Sequence, residues 1–119
     1  MNTLNQARQL QDRTKKFAVR IIKAFSGLQK QEAARVIGRQ FLRSGASLAA
    51  NYRAVCRPPS TADFILKISV VEEEADETLF WLEFLAEIGI IKPARLEDLR
   101  AEAKSLVAIF VASRKTAKS

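Results

Sequence analysis

Apolar residues recur along this chain at alternating steps of three and four, in four separate runs. Leu10, Thr14, Phe17, Ile21, Ala24 and Leu28 make the first; Ile37, Phe41, Ser44, Leu48, Asn51 and Val55 make the second. Phe64, Ile68, Val71, Ala75, Thr78, Leu82 and Leu85 form the third, and Leu96, Leu99, Ala103, Leu106 and Phe110 the fourth. Such alternation lines one flank of a helix that packs nearly parallel or antiparallel to its neighbours. No stretch shows the period of two that a half-buried strand requires. The pattern predicts helices over 4–26, 30–57, 61–88 and 93–115.

The punctuation between the runs agrees. "SGLQKQ" (26–31) offers Gly27 as a helix stop, and "RPPST" (57–61) breaks the chain at Pro58-Pro59 before Ser60 or Thr61 as an N-cap. "IGIIKP" (88–93) supplies Gly89 as a stop and Pro93 as a first-turn residue. Short connections between long helices make neighbours antiparallel, so the expectation is all-α: an up-down-up-down antiparallel four-helix bundle, one domain over 1–119. The last residues, "SRKTAKS", are expected to fray.

The second run carries unusual polarity and little bulk, as in "QFLRSGASLAANYRA" (40–54). One flank holds Ala34, Gly38, Leu42, Gly45, Ala49, Tyr52 and Cys56. Each mid-helix glycine costs about 1 kcal/mol against alanine, which close approach of another backbone can offset. A packed face is therefore expected there. Another flank gathers Arg35, Arg39, Arg43, Arg53 and Arg57, and the third helix bears Glu72, Asp76, Glu83 and Glu87. A hairpin about Pro58-Pro59 predicts Arg43 beside Glu72 or Asp76 and Arg35 near Glu83. Gln40, Arg43, Ser44, Asn51, Glu72 and Asp76 then make up a structural polar seam.

Charge sharpens the picture. The chain is +7 overall, but residues 1–58 hold 12 Lys/Arg against 2 acids, and residues 59–119 hold 8 against 11. Part of the first half's excess has the paired destination just described. On the first helix, Arg13, Lys16, Arg20 and Lys23 fall within an arc of roughly 80°, and the only acid on that helix is Asp12. Such a strip suits successive phosphates without reading bases, so these four residues are the candidate nucleic-acid-binding set. Lys15, Arg114, Lys115 and Lys118 add to the basic surface.

Catalysis and metal binding find little support. The chain has no histidine, the commonest general base and metal ligand. The run "EEEADE" (72–77) spreads over two helix flanks, with no loop to close around a cation. No enzyme activity, metal or cofactor is expected. The lone Cys56 reads as a packed thiol in a reducing, cytoplasmic setting, and Phe80 and Trp81 as core or interface anchors. The start of the chain lacks the apolar core of a signal peptide. The most apolar window, "LFWLEFLAEIGII" (79–91), is too short and too charged to span a membrane. No membrane partner is expected.

The stretches "QFLRSGASLAANYRA" and "STADFILKISVVEEEADETLFWLEFL", in this order and spacing, resemble the bacterial 23S rRNA intervening-sequence proteins. They are also similar to the accessory proteins of diversity-generating retroelements. The resemblance runs from about Phe17 to Phe110. It implies a four-helix bundle assembled as a homopentamer, without catalysis, acting on RNA or on a ribonucleoprotein partner such as a reverse transcriptase, while the basic strip by itself suits RNA or DNA. Its motif residues fall here on Gln40, Arg43, Ser44, Ser47, Asn51, Glu73, Asp76 and Glu77, with a structural role. The competing class is a protein-interaction scaffold with an acidic protein partner and no direct nucleic-acid role.

Overall fold

The computed structural model describes residues 3–25, 32–57 and 60–119. Its elements are α1 (Thr3–Phe25), α2 (Glu32–Val55), α3 (Thr61–Glu87) and α4 (Pro93–Lys118), with no strand among the described residues. Sequential helices pack side by side and α4 returns to α1, while diagonal pairs do not touch backbone to backbone. This is the expected antiparallel four-helix bundle. The α1–α4 seam is the thinnest of the four. The body measures 45 × 23 × 21 Å, its long axis matching a helix of this length at about 1.5 Å per residue.

The local signals act as expected where they are described. The Asp63 N–H donates to Ser60 Oγ at 3.1 Å, which makes Ser60 the N-cap of α3. Helix α3 ends at Ile88, followed by Gly89 at φ +76°, a left-handed conformation that a side chain would strain. Pro93 opens α4, where its missing N–H costs nothing. The proposed stops at Gly27 and Pro58-Pro59 lie outside the described residues. Helix α4 continues to Lys118, beyond the expected end at residue 115. Arg114 is held there by Glu72 of α3, with Nε donating at 2.7 Å.

The predicted seams form the core. Phe17, Ile21, Phe41, Leu48, Ile68, Val71, Leu82, Leu85, Leu96, Leu106 and Phe110 are all buried. The polar members Thr14, Ser44 and Thr78 are buried as well, and each finds a partner. Thr14 donates to the Gln11 carbonyl at 2.8 Å and Ser44 to the Phe41 carbonyl at 3.0 Å. The Thr78 hydroxyl lies 2.9 Å from Ser44 Oγ and 2.8 Å from the Glu74 carbonyl. Hydroxyls are tolerated here because none is left unpaired. The small-residue flank of α2 meets α1: a Cβ at Gly45 would sit 2.9 Å from Ile21 Cγ2. Close packing is what the glycine permits. No helix among the described residues is long and apolar enough to cross a membrane.

Candidate nucleic-acid interface

The four residues of the α1 strip lie on the surface, but Arg13 and Lys16 have acidic partners. Arg13 reaches across the α1–α4 seam and forks onto Glu102, with Nη2 at 2.7 Å from Oε1 and Nε at 3.1 Å from Oε2. Its Nη2 also donates to Ser105 Oγ at 3.2 Å. The Glu102 hydrogen bond raises the Arg13 pKa, against a smaller opposing effect of burial. Lys16 pairs with Asp12 one turn earlier at 2.8 Å, which raises its pKa too. The predicted nucleic-acid-binding set is therefore partly neutralised inside the fold, at Arg13 and Lys16. Position in sequence hid Glu102, which comes from the last helix. Arg20 and Lys23 remain exposed.

The arginine flank of α2 is also distributed differently from the prediction. Arg43 pairs with Glu77, not with Glu72 or Asp76, and its Nε donates to Gln40 Oε1 at 3.3 Å. The height along the hairpin was right and the rotation was not. Residue 77 sits about 100° around the helix from residue 76, and that turn carries it to α2. Glu72 faces α4 and takes Arg114 instead. Asp76 is exposed. Arg35 pairs with Glu32 on its own helix, not with Glu83. Asn51 donates to Glu74, and Trp81 Nε1 donates to Glu77 Oε2 at 3.2 Å. The acidic run 72–77 is thus shared between α2, α4 and Trp81 of its own helix.

A cluster of cations that the strip did not include lies between α1 and α2. Arg8 and Lys15 on one wall, and Arg53 and Arg57 on the other, line a cleft of about 620 Å³. Positions 8, 12 and 15 share a helix flank, as do 50, 53 and 57. Ala49 and Ala50 add little bulk to the α2 wall, and Gln11 and Asp12 complete the lining. Asp12 is the only acid there and already accepts from Lys16. None of the four cations has an acidic partner among the described residues. The signal for Arg8 was present as Arg8-Asp12-Lys15 at helical spacing. Arg53 and Arg57 were misread as facing the acids of α3.

On the opposite side, α3 carries a second stripe along its outer face: Leu66, Val70, Glu73, Glu77, Phe80, Phe84 and Ile88. Leu66 is 66% exposed and Phe80 52%, with Val70 and Ile88 also open to solvent. Phe80, Trp81 and Phe84 form one aromatic cluster, with Phe80–Trp81 edge-to-face at 4.9 Å between centroids. The small-residue flank of α2 is already occupied by α1, so it cannot serve as a docking face. Tyr52 is buried, its ring 5.5 Å from Phe110, and Cys56 beside it is a free, partly buried thiol.

The comparisons converge on one family. The model for 23S rRNA-intervening sequence proteins matches residues 7–112. A solved structure similar to this one is the 1.70 Å crystal structure of a protein of unknown function from the S23 ribosomal protein family of Bacteroides thetaiotaomicron VPI-5482. It superposes with a TM-score of 0.82 at 32% identity, over 88% of this chain and 97% of that one. No curated protein matches.

Proposed function

Because this chain belongs to the 23S rRNA-intervening sequence protein family, we propose that it is a non-catalytic, oligomeric nucleic-acid-binding protein, an accessory factor of RNA or of a ribonucleoprotein. The observation that carries this reading is the uncompensated charge of the α1–α2 side. Arg8, Lys15, Arg20, Arg39, Arg53 and Arg57 have no acidic partner among the described residues, whereas Arg13, Lys16, Arg35 and Arg43 do. Folding thus absorbs only part of the basic half's excess, and the remainder faces solvent, where it can neutralise phosphates. The absence of histidine supports the non-catalytic reading. The resemblance adds a reverse transcriptase or other ribonucleoprotein enzyme as protein partner.

We further propose a homo-oligomer, the pentamer that the resemblance implies. The outer α3 stripe supports it, since its spacing of three and four repeats the seam used inside the bundle. Repetition of a basic face around an oligomer would convert weak contacts into useful retention.

The test is retention of labelled RNA as salt is raised. Binding at about 50 mM salt that weakens steeply by about 200 mM is expected, with little sequence preference. Reversing Lys16 and Arg20 to glutamate is expected to reduce retention while leaving helicity unchanged. No retention by the wild type at the lower salt overturns the reading and favours the protein scaffold, for which the exposed α3 stripe is the specific support.

A further inference from the structure

We propose that the α1–α2 cleft is a seat for single-stranded nucleic-acid backbone, holding about two consecutive phosphates between Arg8 and Lys15 on one wall and Arg53 and Arg57 on the other. This rests on the nucleic-acid reading above and narrows it to one site and one form of ligand.

Length comes first. Arg8 and Lys15 are seven residues apart on one helix, so the cationic wall extends over about 10 Å at 1.5 Å per residue. Successive phosphates lie farther apart along a strand than the duplex's axial rise of about 3.4 Å, so this wall matches about two of them. Charge agrees with length. Four cations line the cleft against the single acid Asp12, which is engaged by Lys16 at 2.8 Å.

Shape then selects the form of nucleic acid. Arg8 and Lys15 on α1 stand across from Arg53 and Arg57 on α2, where Ala49 and Ala50 add little bulk, leaving about 620 Å³ of space between the two helices. A single strand can enter a recess and meet cations from both sides. A duplex offers its phosphates on a convex surface and touches only the rims. No aromatic side chain lines the cleft, and Gln11 is its only amide. Base stacking and base-edge reading are thus absent, which leaves the backbone as the recognised feature.

The other large recess, about 720 Å³ between α1 and α4, does not compete for this role. Its one cation, Arg13, is already forked onto Glu102, and Leu10, Tyr52, Phe64 and Ile109 give it an apolar lining.

The experiment measures anisotropy of a labelled single-stranded RNA and of its duplex against the full chain across a salt series. Arg53→Glu with Arg57→Glu is expected to weaken single-strand binding at least tenfold. Arg53→Ala with Arg57→Ala should lower the slope of log affinity against log salt by about 1.4, at about 0.7 per lost single-strand contact. Ala50→Glu places a carboxylate on the flank of Arg53 and Arg57, where it can pair with Arg53 three residues on and repel phosphate, and should weaken binding as well. Residues 50, 53 and 57 are exposed, so each variant is expected to keep its helices, which circular dichroism checks. Equal affinity for the duplex, or unchanged affinity in either glutamate variant, overturns the cleft while leaving the broader reading standing. No binding of either nucleic acid by the wild type overturns both.

Discussion

At the scale of single residues, the two positions with most to report are Gly45 and Tyr52. Alanine at position 45 gains about 1 kcal/mol of helix propensity. The new methyl would lie 2.9 Å from Cγ2 and 3.2 Å from Cβ of the fully buried, β-branched Ile21, and such overpacking costs about 1–3 kcal/mol. Gly45→Ala is therefore expected to lower stability by about 1 kcal/mol, or about 4 °C in Tm, in a thermal melt. Tyr52 gives a pH prediction. Burial, followed by its contact with Cys56, pushes its phenol well above the usual range. The unfolded phenol ionises near pH 10. Below that pH both states are protonated and the contribution is fully present. As pH rises beyond it, the unfolded chain loses its proton first, so stability falls. Tyr52 is the chain's only tyrosine, which makes phenolate absorbance a direct readout. At about pH 11 the folded protein should show little phenolate and the urea-unfolded chain a full signal, and Tyr52→Phe should remove the associated stability loss.

Between elements, the ion pairs choose neighbours more than they add stability. Arg43 and Glu77 keep 49% and 36% of their side-chain surface in water. An exposed pair of this kind contributes about 0–1 kcal/mol. Arg43→Ala is expected to cost less than about 1 kcal/mol in urea unfolding, against the several expected of a buried pair. A loss of about 3 kcal/mol would mean that the pair is desolvated. The helices themselves were legible because each depends on local information: a seam repeated over several turns, a Ser60 cap, a Gly89 stop, a Pro93 start. The pairings depend on rotation about each axis, where one residue is 100°. That is why Arg43 was placed at the right height and given the wrong carboxylate.

The whole molecule has two unlike sides, a basic one on α1 and α2 and an apolar stripe on α3. If the stripe assembles copies of the chain, Phe80→Glu with Leu66→Glu is expected to reduce an oligomeric mass in light scattering to that of a monomer, with helicity kept. The basic side should remain outward in that assembly. The monomeric double variant should accordingly retain RNA less well than the oligomer at equal chain concentration, through loss of multivalency together with its two added carboxylates. A wild type that is monomeric at micromolar concentration sinks the oligomer.

The four seams, the turn chemistry and the uneven charge of the two halves were readable along the chain, because spacing and composition are properties of one strand of residues. The candidate site was readable only in part. Arg13 and Lys16 looked free because Glu102 is remote in sequence and the Asp12 rotamer is not written there. The cleft is a relation between Arg8-Lys15 and Arg53-Arg57, whose walls come from helices running in opposite directions. Which flanks meet, at what rotation and how closely, is settled by packing of the whole core, with Gly45 against Ile21. Only that packing decides which charges are neutralised inside the bundle and which are left for a partner.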